Sequence, residues 1–432
     1  MKTFTRLCAC IMILGLLTFA STAVFGEEPS PEVIDKTNWK KVEGLVPDPL
    51  LEWVKSGEFI LRVDELTYDP AENWPPFFLE ARKANVGKYA LDEDDVIVDA
   101  KTGEMAKTIL GAPFPEIDPA DPKAAAKIIY NKHYTSFGAG NKRFTTNIAW
   151  LSRSNFEREV EGLFIEAYMT GFPGADKARN PKDMERYNII TVQKPYDLSG
   201  TSVMLWRYLS SQQDVNFSYV PAIRRVRRMT PANRSDGFLG SDFAQDDMAG
   251  YDGKTPAFEW KVVGEQEVLA PYAYTHPVPM SRTKKGEWLM DRGVEGIRYA
   301  YQEEGADVVG WCPMNTVYVK RHAWLIEAKA KDPYYNYGIQ YLWIDKELWA
   351  PLYKLVHTRS GKFWKFLLIT AIGMENKETK DRVMLAVDHL IVDASRDHAT
   401  YTKQVDPSAI LTMFADIDLN DFTLGGFQKY CK

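Results

Sequence analysis

From Arg143 to Asp393 the chain alternates with period two in one long segment after another, and these segments are rich in Val, Ile, Tyr, Phe and Trp. Successive side chains on a strand point to opposite faces, and β-branched and aromatic side chains fit a pleated surface. The pattern predicts strands at Phe144–Trp150, Phe156–Thr170, Tyr187–Gln193, Ser202–Leu209, Val215–Val220, Ile223–Met229, Phe258–Leu269, Thr316–Ala328, Tyr337–Ile344, Leu352–His357, Lys362–Met374 and Arg382–Asp393. Several are too long and too closely spaced for helical crossovers, which implies antiparallel meanders, with a hairpin turn at Ser360-Gly361.

Many of these strands carry large apolar groups on both faces. Val203, Leu205 and Leu209 alternate with Met204, Trp206 and Tyr208, so both faces need cover, from helices or from the sheet curling round a lumen. Two helices are predicted before the strands. One starts at the prolines of Pro75-Pro76 and continues to Ala90; the other has Asp121 as cap, Pro122 in the first turn and Ile128, Ile129 and Lys132 at helical spacing. The expected fold is mainly β (α+β): an incomplete, strongly curved antiparallel barrel whose helices close the concave side over an apolar cavity. Aromatic residues make up 13% of the chain, with 12 Trp and 22 Tyr, which suits a large aromatic core or a lined cavity.

The first 26 residues read as an export signal: Lys2 and Arg6, an apolar run over Ile11–Phe19, and a cleavage site near Gly26. No later segment approaches the ~20 apolar residues of a membrane span. The expected organisation is a signal peptide at 1–26 and one domain at 27–432, with a Pro-rich lead-in at 27–73 and inserted loops; the expected location is the periplasm. Without Lys2 and Arg6, the 53 basic side chains drop to 51 against 59 acidic ones, a charge that disfavours nucleic acid. Cys8 and Cys10 leave with the signal. Cys312 and Cys431 then remain, either as two buried thiols or as a disulfide. A bridge closing about 120 residues would add up to ~4–5 kcal/mol by chain entropy.

The densest charge feature is "YVPAIRRVRRMTPANRSDGFLGSDF" at Tyr219–Phe243. On a strand, Arg225 and Arg227 share one face and Arg224 and Arg228 the other. Asp236, Asp242, Asp246, Asp247 and Asp252 follow, so one reading is an ion-pair cluster of Arg224, Arg225, Arg227 and Arg228 with Asp236, Asp242, Asp246 and Asp247. The others are a mouth for anionic headgroups and a protein docking surface. Trp206, Tyr208, Phe217, Tyr219, Phe243 and Trp260 are the candidate aromatic lining, with Arg225 and Arg227 at the mouth.

"YVPAIRRVRR" followed by "RSDGFLGSDF" resembles the signature of the outer-membrane lipoprotein-sorting (LolA/LolB-like) superfamily, and within it a large periplasmic domain-of-unknown-function family. "GAPFPEIDPADPKAAAKIIYN" at Gly111–Asn131, "WRYL" at Trp206–Leu209 and "FEWKVVGEQEVLAPYAY" at Phe258–Tyr274 extend the resemblance over most of the chain. It implies a half-open β-barrel whose hydrophobic cavity accepts acyl chains; with no catalytic motif found, neither catalysis nor a cofactor is expected. The partners implied are a hydrophobic or lipid-like ligand and an inner-membrane transporter or outer-membrane partner. The expected function is thus a periplasmic carrier of a lipid, lipoprotein acyl chain or other hydrophobic molecule.

Two rival functions remain. Asp388, His389 and His398 in "VDHLIVDASRDHATY" have the residue types for an envelope hydrolase or metal-dependent enzyme, but no H-E-x-x-H spacing, G-x-S-x-G elbow or phosphate-binding Gly-rich loop accompanies them. No metal site is expected. The other rival is a non-catalytic structural adaptor.

Overall fold

In the computed structural model, which describes residues 31–432 apart from residue 292 and residues 405–409, the period-two segments form the strands of one sheet. The main ones are β1 (Lys142–Ser152), β2 (Phe156–Tyr168), β3 (Met184–Lys194), β4 (Ser202–Tyr208), β5 (Val215–Val220), β6 (Arg225–Met229), β7 (Phe258–Tyr272), β8 (Val317–Ala330), β9 (Ile339–Asp345), β10 (Pro351–His357), β11 (Phe363–Glu375), β12 (Arg382–Asp393) and β13 (His398–Lys403). Strands β1 to β6 form one antiparallel meander and β8 to β13 another. They join where β13 pairs with β1, from His398↔Ser152 to Lys403↔Asn147. Strand β7 covers the edge of β8, with a bulge between Val262 and Gly264.

The sheet is mainly β, strongly curved and does not close as a regular barrel. Short parallel bridges, Tyr272 to Ala371 and Val278–Pro279 to Met374–Glu375, draw the chain after β7 onto β11. At the other end β6 pairs with β5 alone among the described residues, so its far side is an open edge.

Helices α1 (Asp48–Ser56), α2 (Pro76–Ala84) and α3 (Ala124–Phe137) precede these strands, the last two at the predicted signals. Helix α2 stops six residues before Ala90, because Asn85 turns the chain into a small hairpin of Tyr89–Leu91 with Ile97–Asp99. Helix α3 is buried on almost every side. Ala125, Ile128 and Ile129 enter the main core, while Tyr130, Tyr134 and Phe137 enter a second cluster with Phe114 and Tyr168.

Four expectations need correction or placement. The expected lead-in at 27–73, where it is described, packs into the fold: Leu50, Val54, Phe59 and Leu61 are core residues, Leu61–Val63 pairs with Glu32–Ile34, and Arg62 and Val63 pair with Val317 and Tyr318. The expected gap between helix and sheet is not an apolar lumen; beside α3 it measures about 40 Å³ and is lined by Lys132, His133, Lys142, Glu166, Arg186 and Asp252 among others. Cys312 and Cys431 are free thiols in different clusters, because the C-terminal tail packs on the β1–β6 meander, away from Cys312. The expected signal peptide lies outside the described residues.

Candidate functional site

The site is built on a row of directly opposed residues across the first meander. Phe144 faces Phe164, then come Ile190, Val203, Ser218 and finally Arg227 on the edge strand. Paired residues lie on the same face of a sheet. One face therefore runs from aromatic at β1 to a guanidinium at the open edge.

Segment 231–245 roofs this face. Phe238, Leu239 and Phe243 come down over Ile148, Phe164, Ile190, Val203 and Met229, leaving a mainly apolar chamber of about 160 Å³ with Asn233, Asp236 and Gln245 also on its wall. The roof is tightly turned. Gly237 and Ala244 bridge, Phe238 N donates to Phe243 O at 2.8 Å, and a Cβ on Gly237 would lie 2.0 Å from Ser241 O.

Ionic pins hold both ends of the roof. At one end Asp242 accepts from Arg396 Nη2 (2.6 Å), Thr400 Oγ1 (2.9 Å) and His398 Nδ1 (2.5 Å). Burial alone would raise the Asp242 carboxyl, but the bond to His398 and the neighbouring cations hold it below the usual carboxylate range. His398 moves up, chiefly through that same bond. At the other end Arg234 donates to Asp246 (2.6 Å) and to Asp252 (3.0 Å).

Beneath the second pin lies a buried charged layer. Arg207 grips Asp214 through Nε and Nη2 (3.0 and 2.7 Å), and Arg186 donates to Asp252 at 2.5 Å. Burial would raise Asp252, yet Arg186, Arg207 and Arg234 outweigh it and pull the carboxyl down. Asp247 takes Lys354 and the Tyr337 hydroxyl, both at 2.7 Å. Removing charges from water is costly unless they are paired, and each of these charges meets an opposite one, although Arg186 Nε is left without a hydrogen-bond partner.

The expected arginine–aspartate cluster is therefore corrected. Among the described residues Arg224, Arg225, Arg227 and Arg228 make no side-chain ion pair; Arg225, Arg227 and Arg228 stand exposed along the edge strand and Arg224 in the turn before it. The acids predicted to neutralise them are taken by Arg234, Lys354, Arg396 and His398, and Asp236 is exposed, beside Asn233 and Asn336. The edge has no second strand to bury these guanidiniums, so water solvates them.

The aromatic candidates divide as well. Phe243 lines the chamber. Trp206, Phe217 and Tyr219 lie on the opposite face, under the C-terminal tail, where Trp206 Nε1 donates to Phe422 O at 2.9 Å. Tyr208 is on that opposite face by strand alternation and accepts Lys254 through its carbonyl. Trp260, partly buried against the main core, meets Tyr251 edge to face and Phe258 at a tilt. A one-residue change of face on a strand reverses its role, and apolar composition on both sides hides which face is which.

Asp388, His389 and His398 do not converge. Asp388 and His389 are neighbours on β12 and point to opposite faces, while His398 pairs with Asp393 near the far end of the hairpin. His389 is buried against Thr402 Oγ1 (2.8 Å), and burial pushes it down to about 3. Among the described residues no group of at least 3 His, Cys, Asp and Glu side chains is placed to hold a metal ion.

Residues that sequence reasoning passed over include Arg186, Arg207, Asp214, Lys354, Tyr335 and Tyr337. A signal existed for Arg207: it interrupts an apolar strand, Val203–Tyr208, and a charge in such a place is buried only with a partner. The partner's identity was not visible.

The fold and site define a class: a large, curved, mainly antiparallel sheet with a buried helix packed on it and a small, mainly apolar chamber roofed by residues 231–245. The chain belongs to the DUF1329 family, described as proteins of unknown function, whose model matches residues 33–423. No curated protein matches it. Similar solved structures include an outer-membrane lipoprotein-sorting protein domain from Vibrio parahaemolyticus, 15% identical, covering 72% of this chain and 100% of that one with a TM-score of 0.47. A DUF1329 family protein from Desulfovibrio piger is 12% identical (71% and 98% covered, TM-score 0.46), and a LolA superfamily protein from Nitrosomonas europaea is 11% identical (70% and 98%, TM-score 0.41).

Proposed function

We propose that this protein is a cell-envelope carrier for an amphipathic hydrophobic molecule, exported to the periplasm, with the apolar end of its cargo in the chamber beneath 231–245. The observation that carries this is the chamber itself: apolar walls on a sheet face that ends in Arg227, closed by a roof pinned through Asp242 and Arg234.

The volume constrains the cargo. At about 160 Å³ the chamber is close to the ~150 Å³ of an apolar cavity that admits benzene, so it suits a ring or the end of an acyl chain and not a whole one. Six methylenes moved from water gain ~5 kcal/mol there, and they gain as much in a bilayer. Loading and release are then nearly balanced, and a guanidinium on an anionic head tips the balance. The lipoprotein-sorting similarity agrees in kind with this reading.

The test uses 1-anilinonaphthalene-8-sulfonate, which joins apolar rings to one anion. Saturable fluorescence enhancement, displaced by laurate, is expected. Val203→Trp fills the chamber and should abolish it at an unchanged melting temperature, while Arg227→Gln should weaken the probe and spare a neutral naphthalene. Binding that survives Val203→Trp would refute the chamber.

A further inference from the structure

The turn Pro231–Ser235 serves two cavities. Asn233 lines the chamber, whereas Pro231 and Arg234 line a separate, larger cleft of about 440 Å³. That size falls within the ~300–1,000 Å³ of small-molecule sites.

The floor of the cleft is charged, buried and almost fully committed. Asp214 is gripped by Arg207, Asp246 accepts from Arg234 Nε and the Tyr335 hydroxyl (2.8 Å), and Lys254 donates to Tyr208 O at 2.8 Å. Arg234 is 4% exposed and gives its Nη2 to Asp252, yet its Nη1 is buried without a hydrogen-bond partner. The carboxylate oxygen of Asp214 is 3.9 Å from that nitrogen, too far for a hydrogen bond. Arg234 is one of the residues lining the cleft, and this N–H is a polar group beside it that receives no acceptor from the chain.

The mouth has the opposite chemistry. Glu93, Asp94 and Asp332 stand there against a single cation, Lys331, whose amine donates to Pro256 O at 2.9 Å. Exposed carboxylates at the rim of a low-dielectric cleft concentrate cations. Pro256 and Ala257 supply an aliphatic wall.

We infer that this cleft is a second binding site, distinct from the chamber, for a small aliphatic amine carrying a carbonyl or hydroxyl oxygen at its other end. The oxygen accepts from Arg234 Nη1 and the ammonium sits among Glu93, Asp94 and Asp332. The site goes beyond the carrier reading and does not depend on it.

Calorimetric titration of the full chain with N-acetylputrescine tests this. One saturable site is expected, with N-butylacetamide, which lacks the ammonium, and putrescine, which lacks the acceptor, each binding at least about 10-fold more weakly. Glu93→Gln with Asp94→Asn changes exposed residues only, and should weaken N-acetylputrescine about 10-fold while leaving N-butylacetamide unchanged. Absence of saturable binding, equal affinity for the three compounds, or an unaltered Kd in the double variant would overturn the inference. The fate of the chamber is read separately: the double variant should still enhance 1-anilinonaphthalene-8-sulfonate fluorescence, and Val203→Trp should still bind N-acetylputrescine.

Discussion

Seven positions separate Arg227, exposed on the edge strand, from Arg234, which is 4% exposed and bonded to Asp246 and Asp252. The same guanidinium therefore has two energetic meanings. Replacing Arg227 by Ala removes a solvated charge and should alter stability by less than ~0.5 kcal/mol in urea denaturation. Arg234→Ala leaves Asp246 and Asp252 short of a buried partner, and a loss of ~3–5 kcal/mol is expected. Comparable losses at both positions would contradict the burial described. His398 gives a prediction with a sign. Its pKa is raised by Asp242, so its contribution is complete below the ordinary histidine value of ~6.5 and fades as pH rises through the higher folded value. The calorimetric melting temperature should fall, as pH rises above the ordinary histidine value of ~6.5, more steeply in the native protein than in His398→Asn; parallel curves would remove the pin from the account.

At the level of elements, the strands were written in the chain and their faces were not. Val215–Val220 and Arg382–Asp393 have the predicted bounds, and most others differ by a few residues at an end. Strand β13 escaped notice because it is short and follows directly on the polar turn Ser395–Asp397. The roof was legible only as a turn-rich stretch, since its form depends on Asp242 finding Arg396 and His398, more than 150 residues downstream. Gly237 is where the roof is most sensitive: an added Cβ meets the Ser241 carbonyl at 2.0 Å, so the backbone has to move. Gly237→Ala should cost ~1–3 kcal/mol by overpacking and lose most of the probe fluorescence. A variant that keeps full fluorescence would show that the roof does not shape the chamber.

For the whole molecule, the C-terminal tail decides which face of the first meander is inside. Phe422, Phe427 and Cys431 cover Ile165, Ile189 and Met204, and Tyr430 O accepts from Thr191 and Ser202. Cys431 is thereby committed far from Cys312, and burial pushes the Cys312 thiol up to about 12 and the Cys431 thiol up to about 11. Alkylation in denaturant without reductant, read by peptide mass spectrometry, should label both cysteines; a Cys312–Cys431 cross-linked peptide would overturn this arrangement. Ending the chain at Asp416 should expose the apolar face and give a lower melting temperature with aggregation.

Alternation and composition alone determined a mainly antiparallel sheet, its strand boundaries and the helices over it, because pleat geometry and helix capping act over a few residues. Tertiary structure alone decided which arginines are buried, which aromatics face the chamber, and that the space beside α3 is filled by ion pairs instead of standing open. Those outcomes rest on partners brought together from distant segments, as when Asp247 meets Lys354 and Arg207 meets Asp252. Local pattern records that a charge must be satisfied, and only the folded chain supplies the group that satisfies it.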